Sequence, residues 1–360
     1  MKKLFILVCL MTIATGTIAT NSWPTGNGFR DSILEKKCVD EIKSALFYEK
    51  TTEASVFLCE STNGAIKAMV KLTKDNGDWS VKHEIVRNLR PAHLRAILYL
   101  CLLQAGECPN DVYFAPSIYH DVITGCTIRD IGDCQKKEMP LFRAMDFSDT
   151  CILLACESTF DRNMGELAVA LRHAGAFLGN EDKSENDFTI RNRYKNNKWN
   201  GAAILGYHDY MSNAQLVMWM GGIANRGKML IPRLSSEEPL KVIYDQFSRQ
   251  ECIDSLRAAL RQSVIDGMSK KANSLIHTVY GLSNVSEHTA TFLGFTEEHE
   301  KTPSYTICVT VRGGQSIDCN VPCIIARRVL DTAFYDNPEE LISKRIVLEA
   351  QQCHVAEKGR

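Results

Sequence analysis

Three polar residues, widely spaced along the 360-residue chain, have side chains suited to group transfer: His93, Ser148 and Ser283. Histidine titrates near neutrality, so His93 could serve as a base or a nucleophile. A serine hydroxyl is a weak nucleophile unless a base removes its proton, and no serine here has a lysine three residues later. Residues 207–209 read Tyr-His-Asp, but adjacent residues rarely face each other, so a loop is the simpler interpretation.

Apolar spacing predicts the elements that would position these residues. A helix over residues 91–104 would begin close to His93, and a helix over 149–157 would follow Ser148, which could simply cap it. The same spacing predicts further helices at 31–47, 164–178, 213–225, 250–268 and 323–334, and strands at 54–58, 65–70, 275–280, 290–295 and 305–311.

The first helix would turn an apolar face of Ile33, Leu34, Cys38, Ile42 and Leu46 toward the core. Strands near both ends of the chain surround a helical middle. This order predicts an α+β fold whose sheet is assembled from both ends of the sequence.

Composition limits the class of function. The chain is 45% hydrophobic and 24% charged, with a net charge of -1, so nothing indicates the basic surface that a nucleic-acid partner requires. It has no Cys-x2-Cys pair and no histidines at helical ligand spacing. We therefore predict neither a metal nor a cofactor.

The N-terminus is typical of an exported protein. Lys2 and Lys3 precede an apolar run from Leu4 to about Thr15, which predicts a signal peptide or short membrane anchor over residues 1–20. The protein would lie in the periplasm or on the outer face of the cytoplasmic membrane, with membrane contact only through such an anchor. In an oxidising compartment the favoured disulfide partners, whose pairing stays open, are Cys108, Cys126, Cys134, Cys319 and Cys323.

Several segments, taken in order, resemble the transpeptidase domain of penicillin-binding proteins. Residues 62–69 (TNGAIKAM) are similar to its hairpin, 212–228 to the helix that ends in Ala-Asn-x-Gly, and 290–295 (ATFLGF) to a strand reading Ser-Phe-Val-Gly-Phe. The resemblance implies a β-lactamase-like α+β domain over residues 31–345. It would have an antiparallel sheet flanked by helices, an all-helical subdomain at about 90–270, and a tail at 346–360.

The resemblance also implies the place of the nucleophile. The family's Ser-x-x-Lys aligns with residues 93–96, so His93 stands for the serine and Ala96 for the lysine that helps to remove its proton. Arg95 lies between them in sequence and is expected on a different helix face from His93. Both groups that make the nucleophile reactive are therefore absent.

The two other motifs are altered as well. Ser-x-Asn aligns with residues 148–150, which keep Ser148 but have Thr150 in place of the asparagine. Lys-Thr-Gly aligns with residues 282–284, where Leu282 replaces the lysine that would bind a substrate carboxylate, and Ser283 keeps the hydroxyl.

These changes predict an inactive relative of the transpeptidases that acts by binding in peptidoglycan biogenesis. Its partner would be a peptidoglycan peptide or a protein of cell-wall synthesis, and loss of the carboxylate-binding lysine favours the protein. An alternative is an active D,D-transpeptidase, carboxypeptidase or hydrolase with a site rebuilt around His93, Ser148 and Ser283. A third hypothesis limits the resemblance to the fold and gives the protein an unrelated secreted role.

Overall fold

The computed structural model describes residues 28–46, 51–89, 93–121, 125, 127–130, 138–176, 199–206, 210–286, 288–297, 303–313, 317–333 and 343. The signal or anchor at 1–20, the tail at 346–360, residues 207–209, Cys126 and Cys134 lie outside this set. Those predictions stay predictions.

A helix is present at each of the seven positions that the apolar spacing predicts, and the described residues also form two short helices that this spacing does not predict, Leu141–Phe147 and Gly201–Ile204. In chain order they are α1 (Ser32–Ala45), α2 (His93–Ala105), α3 (Leu141–Phe147), α4 (Asp149–Thr159), α5 (Met164–His173), α6 (Gly201–Ile204), α7 (Asn213–Ala224), α8 (Gln250–Asp266) and α9 (Asn320–Ala333). In the part of the chain that the structure describes, none of them is both long and apolar enough to span a bilayer.

The strands divide into one large sheet and four small pairs. The large sheet contains β1 (Thr51–Glu60), β2 (Ile66–Asp75), β3 (Asp78–Lys82), β12 (Val279–Ser286), β13 (Thr289–Thr296) and β14 (Tyr305–Gly313). The pairs are β4 (Arg87–Leu89) with β9 (Tyr210–Ser212), β5 (Val112–Phe114) with β8 (Glu138–Pro140), β6 (Ile118–His120) with β7 (Thr127–Arg129), and β10 (Met229–Leu230) with β11 (Val242–Tyr244).

The large sheet confirms the predicted assembly from both chain ends. Its strand order is β12-β13-β14-β1-β2-β3, and every neighbouring pair is antiparallel. The β1–β14 pairing, which includes Val56 opposite Val309, joins the N-terminal three strands to the C-terminal three.

The turn between β1 and β2 shows why its residues are suited to a hairpin. Gly64 has a φ of +72°, and a Cβ there would lie 2.8 Å from the backbone oxygen of Ile231. Asn63 accepts a hydrogen bond from the Ala65 N–H at 2.8 Å. Only glycine combines this left-handed backbone with such close approach of another chain segment.

Alternation along the central strands divides the core between the two faces of the sheet. Val56, Leu58 and Val309 pack with α1 and α9 on one face, whereas Phe57 and Cys308 belong to the larger cluster with the helical layer. Period-two alternation of buried side chains explains how one sheet supports both layers.

Two predictions near the ends of elements are wrong. Ile33 is 67% exposed because it lies on the outward side of the first turn of α1, whose remaining predicted positions are buried. The strand predicted at 275–280 begins only at Val279. The Ser274 hydroxyl accepts the N–H groups of Ile276 and His277 at 2.9 and 3.3 Å, so these residues form a turn.

Candidate functional site

Helix α2 lies inside the helical layer and contacts α3, α4, α5 and α8. It begins at His93, whose side chain is outside the described part of the structure. Ala96, the residue aligned with the catalytic lysine, is fully buried in the larger apolar cluster. The turn that should present a base is therefore mostly a packing surface.

Arg95 carries the charge in the first turn of this helix. It is 7% exposed, and its Nη2 donates to the Ser283 carbonyl oxygen of β12 at 3.5 Å. Its Nε lies 3.6 Å from Oδ1 of Asp149 at the start of α4. Arg95 therefore reaches the gap between the edge strand and α4, a role that its sequence position next to His93 did not suggest.

Ser148 is fully buried and caps α4. Its Oγ accepts the Cys151 N–H at 3.0 Å and donates to Asp130 Oδ2 at 2.5 Å. These partners use both the donor and an acceptor site of the hydroxyl, as in an ordinary helix cap. The arrangement matches the capping interpretation of Ser148.

Thr150 joins the same network. Its N–H donates to Asp130 Oδ1 at 3.0 Å, and its hydroxyl lies 2.9 Å from Asp130 Oδ2 and 2.5 Å from the Pro116 carbonyl oxygen. Burial raises the pKa of Asp130, and the donors from Ser148 and Thr150 partly oppose this shift. Thr150 thus fixes a half-buried carboxylate and is not directed at open space.

The two motif residues of β12 point to opposite faces of the sheet. Leu282 is fully buried in the cluster that contains α2. Ser283 is also fully buried, but its hydroxyl faces the Cys323 thiol of α9 and makes no hydrogen bond of ordinary geometry. Because neighbouring side chains alternate along a strand, the structure does not bring the hydroxyls of Ser283 and Ser148 together.

A buried carboxylate lies close to this gap. Asp146 of α3 accepts from Ser263 Oγ at 2.6 Å and from the Met268 N–H at 3.0 Å. Burial raises its pKa, and these two hydrogen bonds, followed by the positive charges of Arg95 and Arg143, oppose that shift. Arg95 is therefore attracted to Asp146 as well as to Asp149.

Sequence reasoning did not identify Arg95, Asp130, Asp146 or Asp149 as site residues. One signal was available: Arg95 is the sole ionised residue between Leu94 and Leu103 of an otherwise apolar helix. A buried charge needs a partner, so this pattern indicates a carboxylate nearby. Across the described residues, no group of three or more His, Cys, Asp or Glu side chains could hold a metal ion.

The fold and the position of these motifs define the class: the chain has the fold of penicillin-binding transpeptidase domains. A peptidoglycan glycosyltransferase from Burkholderia ambifaria superimposes with a TM-score of 0.65 at 14% identity, over 87% of this chain and 99% of that one. The TP domain of Burkholderia pseudomallei penicillin-binding protein 3 gives 0.61 at 14% identity, over 88% and 99%. PBPA from Mycobacterium tuberculosis gives 0.64 at 13% identity, over 93% and 85%.

Sequence comparison adds no closer relative. No family model matches the chain, and no curated protein matches it. The similarity thus concerns the fold, and the chemistry has to be inferred from the side chains at the site.

Proposed function

We propose that this protein is a catalytically inactive transpeptidase-fold protein that acts by binding a protein partner in peptidoglycan biogenesis, in the bacterial cell envelope. Three observations support the proposal. Its structural neighbours include a peptidoglycan glycosyltransferase and penicillin-binding proteins. Its N-terminus is typical of exported chains. The gap between β12 and α4 lacks the groups required for acyl transfer.

The observation that carries the proposal is that the side chain reaching β12 from α2 is an arginine, which cannot act as a base. Arg95, and not Ala96, reaches the gap beside β12. If Arg95 is equivalent to the lysine of Ser-x-x-Lys, the nucleophile position three residues earlier is Ala92. If Ala96 is equivalent to the lysine, the nucleophile position is His93. A guanidinium stays protonated and alanine has no titratable group, so neither alignment supplies a base for a serine.

The remaining hydroxyls argue against a rebuilt active site. Ser148 is engaged as a cap and hydrogen-bonds to Asp130, whereas Ser283 points to the other face of the sheet. A serine nucleophile needs a base within hydrogen-bond distance. Asp130 is close to Ser148, but its two oxygens are engaged by Ser148 and Thr150 in the cap network of α4.

Covalent labelling by a β-lactam tests the loss of chemistry. We expect the intact mass of the purified protein to remain unchanged after incubation with a fluorescent penicillin, because no activated serine can open the ring. A penicillin-binding transpeptidase domain treated in parallel should gain one adduct. A stoichiometric adduct on this protein would overturn the proposal, and peptide mapping would identify the residue.

A protein partner is favoured over a peptide because Leu282 replaces the charged residue that would hold a terminal carboxylate, and the charge of Arg95 is already paired. Capture of the tagged full chain from envelope fractions should recover proteins of cell-wall synthesis. Co-sedimentation with isolated, protein-free peptidoglycan is the counter-test. Binding there, with no wall-synthesis protein captured, would contradict a protein partner.

A further inference from the structure

We propose that Arg95 forms an internal clasp that closes the gap between β12 and α4 by occupying the outer edge of β12. The clasp comprises the Arg95 guanidinium, the Asp149 carboxylate and the Ser283 carbonyl group. The clasp rests on the proposed function in one respect: a protein that does not bind a substrate along β12 can keep the edge of that strand covered.

The clasp uses a backbone group that an edge strand would otherwise expose. β12 is the terminal strand of the large sheet, and Ser283 lies opposite Phe292 of β13 in the ladder. Unpaired carbonyl and N–H groups on an edge strand readily bind another extended chain. Arg95 approaches the Ser283 carbonyl from the helical layer, so this acceptor is directed at a side chain of the same protein.

Burial and charge hold the clasp together. Arg95 is 7% exposed and the Asp149 side chain 12%, so the pair is largely removed from water and its attraction is weakly screened. Asp146 adds a second negative charge, which interacts with Arg95 over a longer range. The distances of 3.5 and 3.6 Å are long for hydrogen bonds, so the attraction is mainly electrostatic.

The clasp is fixed at its helical end. Asp149 is the first residue of α4, directly after the cap Ser148, and the Thr150 N–H binds Asp130. Closing the clasp therefore ties β12 to a helix start that is itself immobilised by a buried network. Separation of β12 from α4 requires the Arg95 interactions to break.

Hydrogen exchange measured by mass spectrometry on the full chain tests the clasp. In Arg95→Met we expect peptides covering β12 to exchange at least about tenfold faster, because the edge strand loses its tie to α4. Asp149→Asn should produce the same local pattern, and the double variant should not exceed the larger single effect. Arg226→Gln is the matched control, since it removes an exposed arginine that pairs with Asp254 at 2.8 Å.

Arg95→Lys is a second variant, in case Arg95→Met fails to fold. Lysine keeps the positive charge but lacks the planar guanidinium group. We therefore expect hydrogen exchange in β12 to rise less in Arg95→Lys than in Arg95→Met. Unchanged β12 exchange, or an equal rise in the central strands β1 and β14, would overturn it. Penicillin labelling separates the two proposals. If the protein gains a penicillin adduct while β12 still exchanges faster in Arg95→Met, the proposed inactivity is wrong and the clasp stands.

Discussion

Two arginines are buried to the same extent, 7% exposed each, yet they are held very differently. Arg257 of α8 donates to the backbone oxygens of Ile223 and Ala224 at 3.2 and 3.1 Å and to Glu297 Oε1 at 3.0 Å. Its guanidinium also lies 4.9 Å from the ring centroids of both Tyr280 and Phe295. Within the described part of the chain, the contacts of Arg95 are one long hydrogen bond, to Ser283, and one ion pair, with Asp149.

The difference separates a region where a buried charge ties several elements together from the gap between β12 and α4, where the charge makes fewer and longer contacts. Around Arg257, the C-terminal carbonyl groups of α7 are satisfied and two strands are locked to α8. Around Arg95, the charge is compensated by contacts of 3.5 and 3.6 Å, which are longer than those of Arg257. The described contacts therefore hold β12 to α8 more tightly than they hold it to α4.

The largest expected effect follows from this comparison. Arg257→Met should lower the free energy of unfolding by about 3 kcal/mol, because it removes three hydrogen bonds donated by a buried charge to Ile223, Ala224 and Glu297. Arg95→Met should cost about 1–2 kcal/mol, since fewer and longer contacts are lost. Urea denaturation of both variants measures the difference. A loss for Arg95→Met as large as that for Arg257→Met would show that the two sites do not differ.

A smaller effect compares two helix caps. Ser212 caps α7 with a capping box to Gln215, and Ser148 caps α4 in the cleft. Ser212→Ala should cost about 1 kcal/mol. Ser148→Ala should cost more, up to about 2 kcal/mol, because Asp130 also loses a donor. Thermal unfolding of the pair provides the measurement, and an unstable Ser212→Ala beside a neutral Ser148→Ala would show that the cleft network contributes no stability.

The smallest effect is a dependence on pH. Burial raises the pKa of Asp130 above its ordinary value of 3.8, so the folded state binds this proton more tightly than the unfolded state. As pH rises from 3.8 through the raised pKa, the contribution of Asp130 to the free energy of unfolding must fall. Asp130→Asn should flatten this part of the stability curve, measured by urea unfolding at a series of pH values.

Asp266 provides a control of opposite sign. The Arg143 hydrogen bonds lower the pKa of this carboxyl group, so its contribution is present above the ordinary pKa and is lost as pH falls through the lowered one. Asp266→Asn should therefore leave the fall seen between pH 3.8 and the raised pKa of Asp130 in place. If the free energy of unfolding of Asp130→Asn depended on pH as it does in the unmodified protein, the assignment of this fall to Asp130 would be wrong.

The sequence predicted most of the fold because apolar periodicity follows packing. The Thr62-Asn63-Gly64 turn, the central strands and the seven predicted helices lie close to their predicted positions, whereas the short helices α3 and α6 were not predicted. Residues 275–278 were misassigned because a turn made by one serine side chain has no periodic signal. Ile33 was misassigned because amphipathic spacing does not show where the first turn of a helix meets solvent.

The site was less accessible to sequence reasoning. Alignment on a motif gives residue types, but the direction of a side chain depends on helical phase and on the strand that it faces. Arg95 and Ala96 are adjacent, and only the packing of α2 shows that the arginine reaches β12. Asp130 meets Ser148 and Thr150, and Asp146 meets Ser263, through contacts between elements that no local pattern encodes.

The pairing of β1 with β14 has a consequence for how the chain reaches its native state. Thr52 Oγ1 donates to the Arg312 carbonyl oxygen across a separation of 260 residues. Contacts of such high sequence separation slow folding, because a long loop must close before they form. The large sheet therefore cannot be completed until β14 has been synthesised and has met β1. Until that point the N-terminal and C-terminal halves of the sheet remain separate three-stranded units.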